Sequence, residues 1–251
     1  MTVSLRYDVP EQPGRWLLEE DDVPESPLHD AIIQLLKLVL RQLSAERGVE
    51  VLVTSNLGCR WDPRDARVGM DPDVVLIEPP PPEGETLSTL RVWAPGHRPP
   101  RVAVEAVSEK SGTKDYLDAP VRAARLGVRE LWVFDPLLVG PDATGGPFTL
   151  QVWRPSSEQP DAELARVHAG SAPAFSEELG LWLVAAEEGR RLRLAQDPGG
   201  TALVPTRAEL EAHRAEIARA RAEAETARAA AETARAETET ARAEAEAARA
   251  E

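Results

Sequence analysis

The sequence predicts an α/β domain with a long α-helix following it. Three observations carry that prediction. Leu28 to Leu43 places apolar residues at 32, 35, 36, 39, 40 and 43, the spacing of one helical face. Residues 101–135 read as strand, helix, strand: RVAVEAVS, a short helix ended by Gly127, then RELWVFD, a unit whose default is a right-handed parallel crossover. From Leu210 the chain becomes periodic every seven residues. With 251 residues there is room for one domain of about 200 residues plus an extension, and we divide the chain into 1–205 and 206–251.

Taken in order, Arg15 to Glu19 is a strand candidate inside an acidic, proline-rich start. Ser26 caps the first helix, with Pro27 in its favoured first-turn place. Val49 to Thr54 reads as a strand, and Asn56 to Met70 as irregular chain over Cys59 and Trp61. Asp71 to Glu78, DPDVVLIE, is a strand opened by Asp73; Pro79 to Glu85 is an exposed, stiff loop, and Leu90 to Trp93 a small strand. Asp118 is the expected cap of the second helix, because Pro120 is tolerable only in a first turn. Phe148 to Arg154 and Glu163 to His168 form a hairpin, and Phe175 to Val184 with Arg191 to Leu194 completes the compact part.

In the tail, Leu210, Ile217, Ala224, Ala231, Thr238 and Ala245 form one heptad series, and Ala220, Ala227, Ala234, Ala241 and Ala248 a second. Alanine buries little area, so a coiled coil and a solvated single helix held by charge pairs are both open.

The net charge is −14, of which −3 lies in residues 206–251, so a broad basic surface gripping nucleic acid is excluded. A local acidic cleft neutralised by metal ions is not. A single cysteine, Cys59, rules out an internal disulfide and a thiolate metal cage. Neither a signal-like start nor a membrane-spanning apolar run occurs, and we expect a soluble cytoplasmic chain without membrane partners. No phosphate-binding glycine loop, GxGxxG, HExxH or GxSxG is present, and His29, His97, His168 and His213 are scattered.

What remains is acidic residues on strands. Glu105 sits in an apolar run, where an unpartnered carboxylate costs on the order of several kcal/mol. Its partner could be an arginine, Arg101 or Arg125, or a metal ion shared with Asp73 on the neighbouring acidic strand. Asp73 otherwise reads as a turn residue after Pro72, Asp115 and Asp118 as turn and cap residues, and Lys110 and Lys114 as solvated charges.

His29 on the first helix, Pro72-Asp73, Glu105 with Ser108, Asp115, Gly127-Val128 and Glu130 to Pro136, in that order, resemble the Uma-two restriction endonuclease family of the PD-(D/E)XK nuclease superfamily. The resemblance implies a restriction-endonuclease-like mixed sheet with Asp73 and Glu105 as catalytic metal ligands for Mg²⁺ or Mn²⁺, DNA as partner, and a homodimer or helix-mediated oligomer. Two hard oxygen ligands plus a substrate phosphate suit such an ion. His29 would face the same cleft. The family's lysine falls on Ala119 and its tyrosine on Ala123, so the lysine role passes to Lys114, with Lys110 or Arg122 as alternatives. A degenerate nuclease fold that binds nucleic acid or protein without cutting it is the other reading.

Overall fold

The computed structural model of the chain describes residues 26–65, 67–159 and 162–250, with side chains in the tail described to residue 236 and at 238, 240 and 242. The strand expected at Arg15 to Glu19 lies outside the described residues. The chain divides into two compact units between Val204 and Pro205.

In the first unit, helix α1 (Pro27–Glu46) begins where Ser26 Oγ accepts a hydrogen bond from His29 N at 3.3 Å. Among the described residues the main sheet has the order β1-β4-β6-β7-β8-β9, built from Leu52–Thr54, Val74–Ile77, Val102–Ala106, Glu130–Phe134, Leu150–Pro155 and Leu164–Gly170. Only β6 and β7 pair in parallel; the other pairs are antiparallel, so the sheet is mixed. β7 follows β6 through a helix, as parallel neighbours require.

Alternation along the strands splits the core in two. Val74, Val104, Ala106, Trp132 and Phe134 face α1, which buries Ile32, Leu36, Val39 and Leu40 there. A small antiparallel sheet, β10 (Ala174–Ser176), β11 (Leu181–Ala186) and β12 (Arg191–Ala195), adds Leu181, Leu183, Leu192 and Leu194 to the same core. On the opposite face Val75, Ala103, Leu131 and Val133 meet α2 (Ala119–Leu126) through Ala119, Ala123 and Leu126.

Four local expectations change. The Asn56 to Met70 stretch is not wholly irregular: β2 (Gly58–Arg60) and β3 (Gly69–Met70) pair there, β5 (Thr89–Arg91) adds in parallel, and all three cover Cys59. The strand expected from Val49 begins only at Leu52. The proline loop is not fully exposed, since Pro81 is buried and Gly84–Thr86 forms a 3-10 turn. Asp118 makes no side-chain cap bond, because α2 is entered through a π turn, Lys114–Asp118. Pro120 has no N–H for the preceding turn and its ring crowds the carbonyl four residues back; the wider turn absorbs both. Gly127, at φ 82°, ends α2 in the left-handed conformation that favours glycine.

The second unit is one helix, α3 (Arg207–Ala250). Thr206 and Glu209 form a reciprocal cap, with Thr206 N donating to Glu209 Oε2 at 2.7 Å and Glu209 N to Thr206 Oγ1 at 3.2 Å. Among the described residues no helix is long and apolar enough to cross a membrane.

Candidate active site

The strand run VVLI leaves Asp73 at the bend just before β4, and the alternation VAVEA puts Glu105 on the α2 face of β6. The two strands are antiparallel neighbours with Val74 opposite Val104. Continuing that register by one residue sets Asp73 across from Glu105, so the carboxylates share one end of the β4–β6 pair. Both are buried.

Asp73 is held on two sides. Its Oδ2 accepts from Ala106 N at 2.7 Å and lies 3.2 Å from His29 Nε2, which the first turn of α1 presents. The π turn supplies the remaining groups. Lys114 stands half-exposed with Nζ 3.6 Å from Asp115 Oδ1. Partial burial pulls the Lys114 pKa down, but the combined field of Glu105, Asp115 and Asp73 outweighs it and holds the ammonium above the usual lysine range. Asp115, fully buried, has its pKa pushed up by burial and by Asp73, against the opposing pull of Ser111 and Lys114.

The structure sets Asp73 opposite Glu105, His29 against Asp73, and Lys114 against Asp115. Lys110 is exposed in the turn after β6, and Arg122 is exposed on α2. Arg101, one of the candidate partners for Glu105, is committed elsewhere: it pairs with Glu78 and donates to Glu178 Oε2 at 2.6 Å and Glu178 O at 2.7 Å. Arg125, the other candidate, is exposed. Ala119 and Ala123, where a lysine and a tyrosine were expected, are packed in the core against the sheet.

Sequence reasoning missed Ser111. Its hydroxyl donates to Asp115 Oδ2 and accepts from Ser108 N at 2.9 Å and Ser108 Oγ at 3.1 Å. The spacing Ser108, Ser111, Asp115, about one helical turn per step, was the available signal.

Among the described residues no group of three or more His, Cys, Asp or Glu could hold a metal ion by itself. Two carboxylates on facing positions of β4 and β6 nevertheless fit Mg²⁺, which is usually bound by one or two carboxylates together with waters and substrate phosphates rather than by a protein cage.

Two other buried carboxylates lie outside this cluster. Glu130, at the start of β7, accepts from Trp132 Nε1 at 2.6 Å, Arg154 Nε at 2.9 Å and Glu177 N at 3.0 Å. Asp135 accepts from Tyr116 Oη and from the backbone N–H groups of Leu137, Val139 and Gly140. The buried Cys59 thiol is pushed up to about 12 by burial and is chemically quiet.

The fold is that of an α/β protein with a mixed sheet between helices. The chain belongs to the Uma2 family, whose description is "Putative restriction endonuclease": the family model matches residues 18–190. Among solved structures it is similar to a protein of Anabaena variabilis described as a putative nuclease belonging to DUF820. That likeness has 16% identity and a TM-score of 0.42, and covers 62% of this chain and 75% of the other. No curated protein matches the chain.

Proposed function

We propose that residues 1–205 form a Mg²⁺- or Mn²⁺-dependent endonuclease that hydrolyses phosphodiester bonds in DNA. The observation that carries this reading is the meeting of Asp73 and Glu105 across β4 and β6 with Lys114 in their common field. Asp73 and Glu105 would hold the ion, which when bound supplies Lewis-acid polarisation of the phosphoryl group and a more acidic water.

The chain's own residues do the rest. His29 and Ala106 N fix the Asp73 carboxylate in one orientation. Lys114, kept cationic by the carboxylates around it, is a hydrogen-bond donor and a positive charge rather than a base: it orients the attacking water and offsets charge developing on the phosphorus oxygens. Its half-exposed position lets it meet a phosphate arriving from solvent. Asp115, itself bonded to Ser111, is its ion-pair partner.

The test is incubation of the purified protein with supercoiled and linear DNA in Mg²⁺ or Mn²⁺, beside Glu105→Ala. Metal-dependent cleavage that disappears in the variant is expected. Cleavage that persists in Glu105→Ala would sink the mechanism, and binding without cleavage would make the chain a nuclease fold that recognises nucleic acid without cutting it.

A further inference from the structure

We infer that α3 is one strand of a parallel, in-register coiled coil with a second copy of this chain. The inference is independent of the nuclease reading.

Equivalent positions in the tail lie seven residues apart without interruption from Leu210 onward, and a strict seven-residue repeat winds helices left-handedly around a shared seam. Two stripes could supply that seam. One contains Leu210, Ile217, Ala224 and Ala231 with Ala220, Ala227 and Ala234; the other contains Ala212, Arg219, Thr226 and Thr233 with Ala215, Ala222, Ala229 and Ala236. Their flanks decide between them. The second stripe is bordered by glutamates on both sides, Glu211, Glu225 and Glu232 on one and Glu216 and Glu223 on the other, so two copies would repel in either direction. The first is bordered by arginine on one side, at 214, 221, 228 and 235, and by Glu216 and Glu223 on the other. It also carries the large apolar residues, and Ile217 is 41% exposed in the single chain.

An arginine flank opposite a glutamate flank selects the direction. In a parallel pair in register, a residue on the glutamate flank lies beside the arginine flank of the next heptad on the other helix, giving Glu216 with Arg221 and Glu223 with Arg228 of the second copy. In an antiparallel pair like flanks meet, arginine on arginine and glutamate on glutamate. The sequence repeats the arrangement further on with Glu237 before Arg242 and Glu244 before Arg249. Within one helix Glu223 pairs with Arg219 at 2.9 Å, an exposed contact that a second helix has to outcompete or share. Alanine in most seam positions buries little area, so the pairing is reversible and responds to concentration and salt.

The experiment uses the full chain. Sedimentation velocity over a range of concentrations should show monomer passing to dimer. A variant carrying Glu216→Arg, Glu223→Arg, Glu237→Arg and Glu244→Arg should weaken association by at least ~10-fold, since attractive pairs become repulsive. A reciprocal variant with Arg221→Glu, Arg228→Glu, Arg242→Glu and Arg249→Glu should weaken it similarly, and mixing the two should restore dimers. His213→Cys, in the seam near the start of α3, should oxidise to a linked dimer only if the helices run in the same direction. A chain monomeric at all concentrations, a dimer indifferent to both charge reversals, or a charge-sensitive dimer that fails to link through residue 213 would each overturn the inference.

Discussion

Glu105 and Glu130 are buried carboxylates on adjacent parallel strands, and they are buried in opposite ways. Glu130 is saturated: an indole N–H, a guanidinium and a backbone N–H fill its lone pairs, and Arg154 is itself bound to Glu177 and Phe175 O. Glu105 is grouped with further acids, Asp73 and Asp115, and the cation they share, Lys114, is half-exposed on a π turn. A carboxylate surrounded by donors is closed and serves the fold. Carboxylates grouped with a reachable cation suit a ligand that brings positive charge, since like charges set near one another disfavour their ionised forms.

The sharpest way to break that contrast is to neutralise each glutamate. Glu105→Gln should remove nuclease activity while leaving the urea midpoint unchanged or raised, because it relieves a like-charge cluster; a marked fall in the midpoint would make Glu105 structural. Lys114→Ala should reduce cleavage by on the order of 10²–10³-fold, the usual loss when one transition-state donor is removed. Equal cleavage by Lys114→Ala would pass the role to Lys110 or Arg122. Glu130→Ala should destabilise the fold by roughly 1–3 kcal/mol, since it leaves the buried Trp132 indole N–H and Glu177 N–H without their acceptor while Arg154 keeps Glu177 and Phe175 O, and specific activity of the remaining folded protein should not change. Tyr116→Phe should cost about 1–2 kcal/mol, since it removes a hydroxyl that meets Asp135 and both the carbonyl and the N–H of Phe148, as read from thermal unfolding.

What was legible in the sequence follows the same division. α1 with its Ser26 cap, the parallel β6–β7 unit and the hairpin were written in periodicity and turn chemistry, which are local, whereas the mixed sheet came from the family resemblance. Asp73 and Glu105 were legible because an acid inside or beside an apolar strand is conspicuous. The π turn was not, because it depends on how Pro120 is accommodated after the chain has been docked on the sheet, and the capping rule placed the start at Asp118 instead. Ser111 was missed since a serine in a polar linker carries no signal until its partner, Asp115, is known to be buried. The closed environment of Glu130 was equally hidden: its donors come from β8 and from the turn after β10, far along the chain.

The smallest expected effect probes Asp115, which stands between the two kinds of carboxylate: buried and bonded to Ser111 like a structural acid, yet crowded by Asp73 and Lys114 like a functional one. Its pKa is raised in the folded chain, with burial the leading cause. Folding therefore favours the protonated form. The contribution of this group to stability is complete below the ordinary aspartate value of about 4 and is lost as pH rises through the raised value. Asp115→Asn imitates the protonated carboxyl and keeps an acceptor for Ser111. Its urea midpoint should equal that of the native chain near about pH 4 and exceed it modestly at neutral pH. A variant less stable than the native chain at neutral pH would mean that the ion pair with Lys114 outweighs burial, and would place Asp115 with Glu130 among the closed, structural acids.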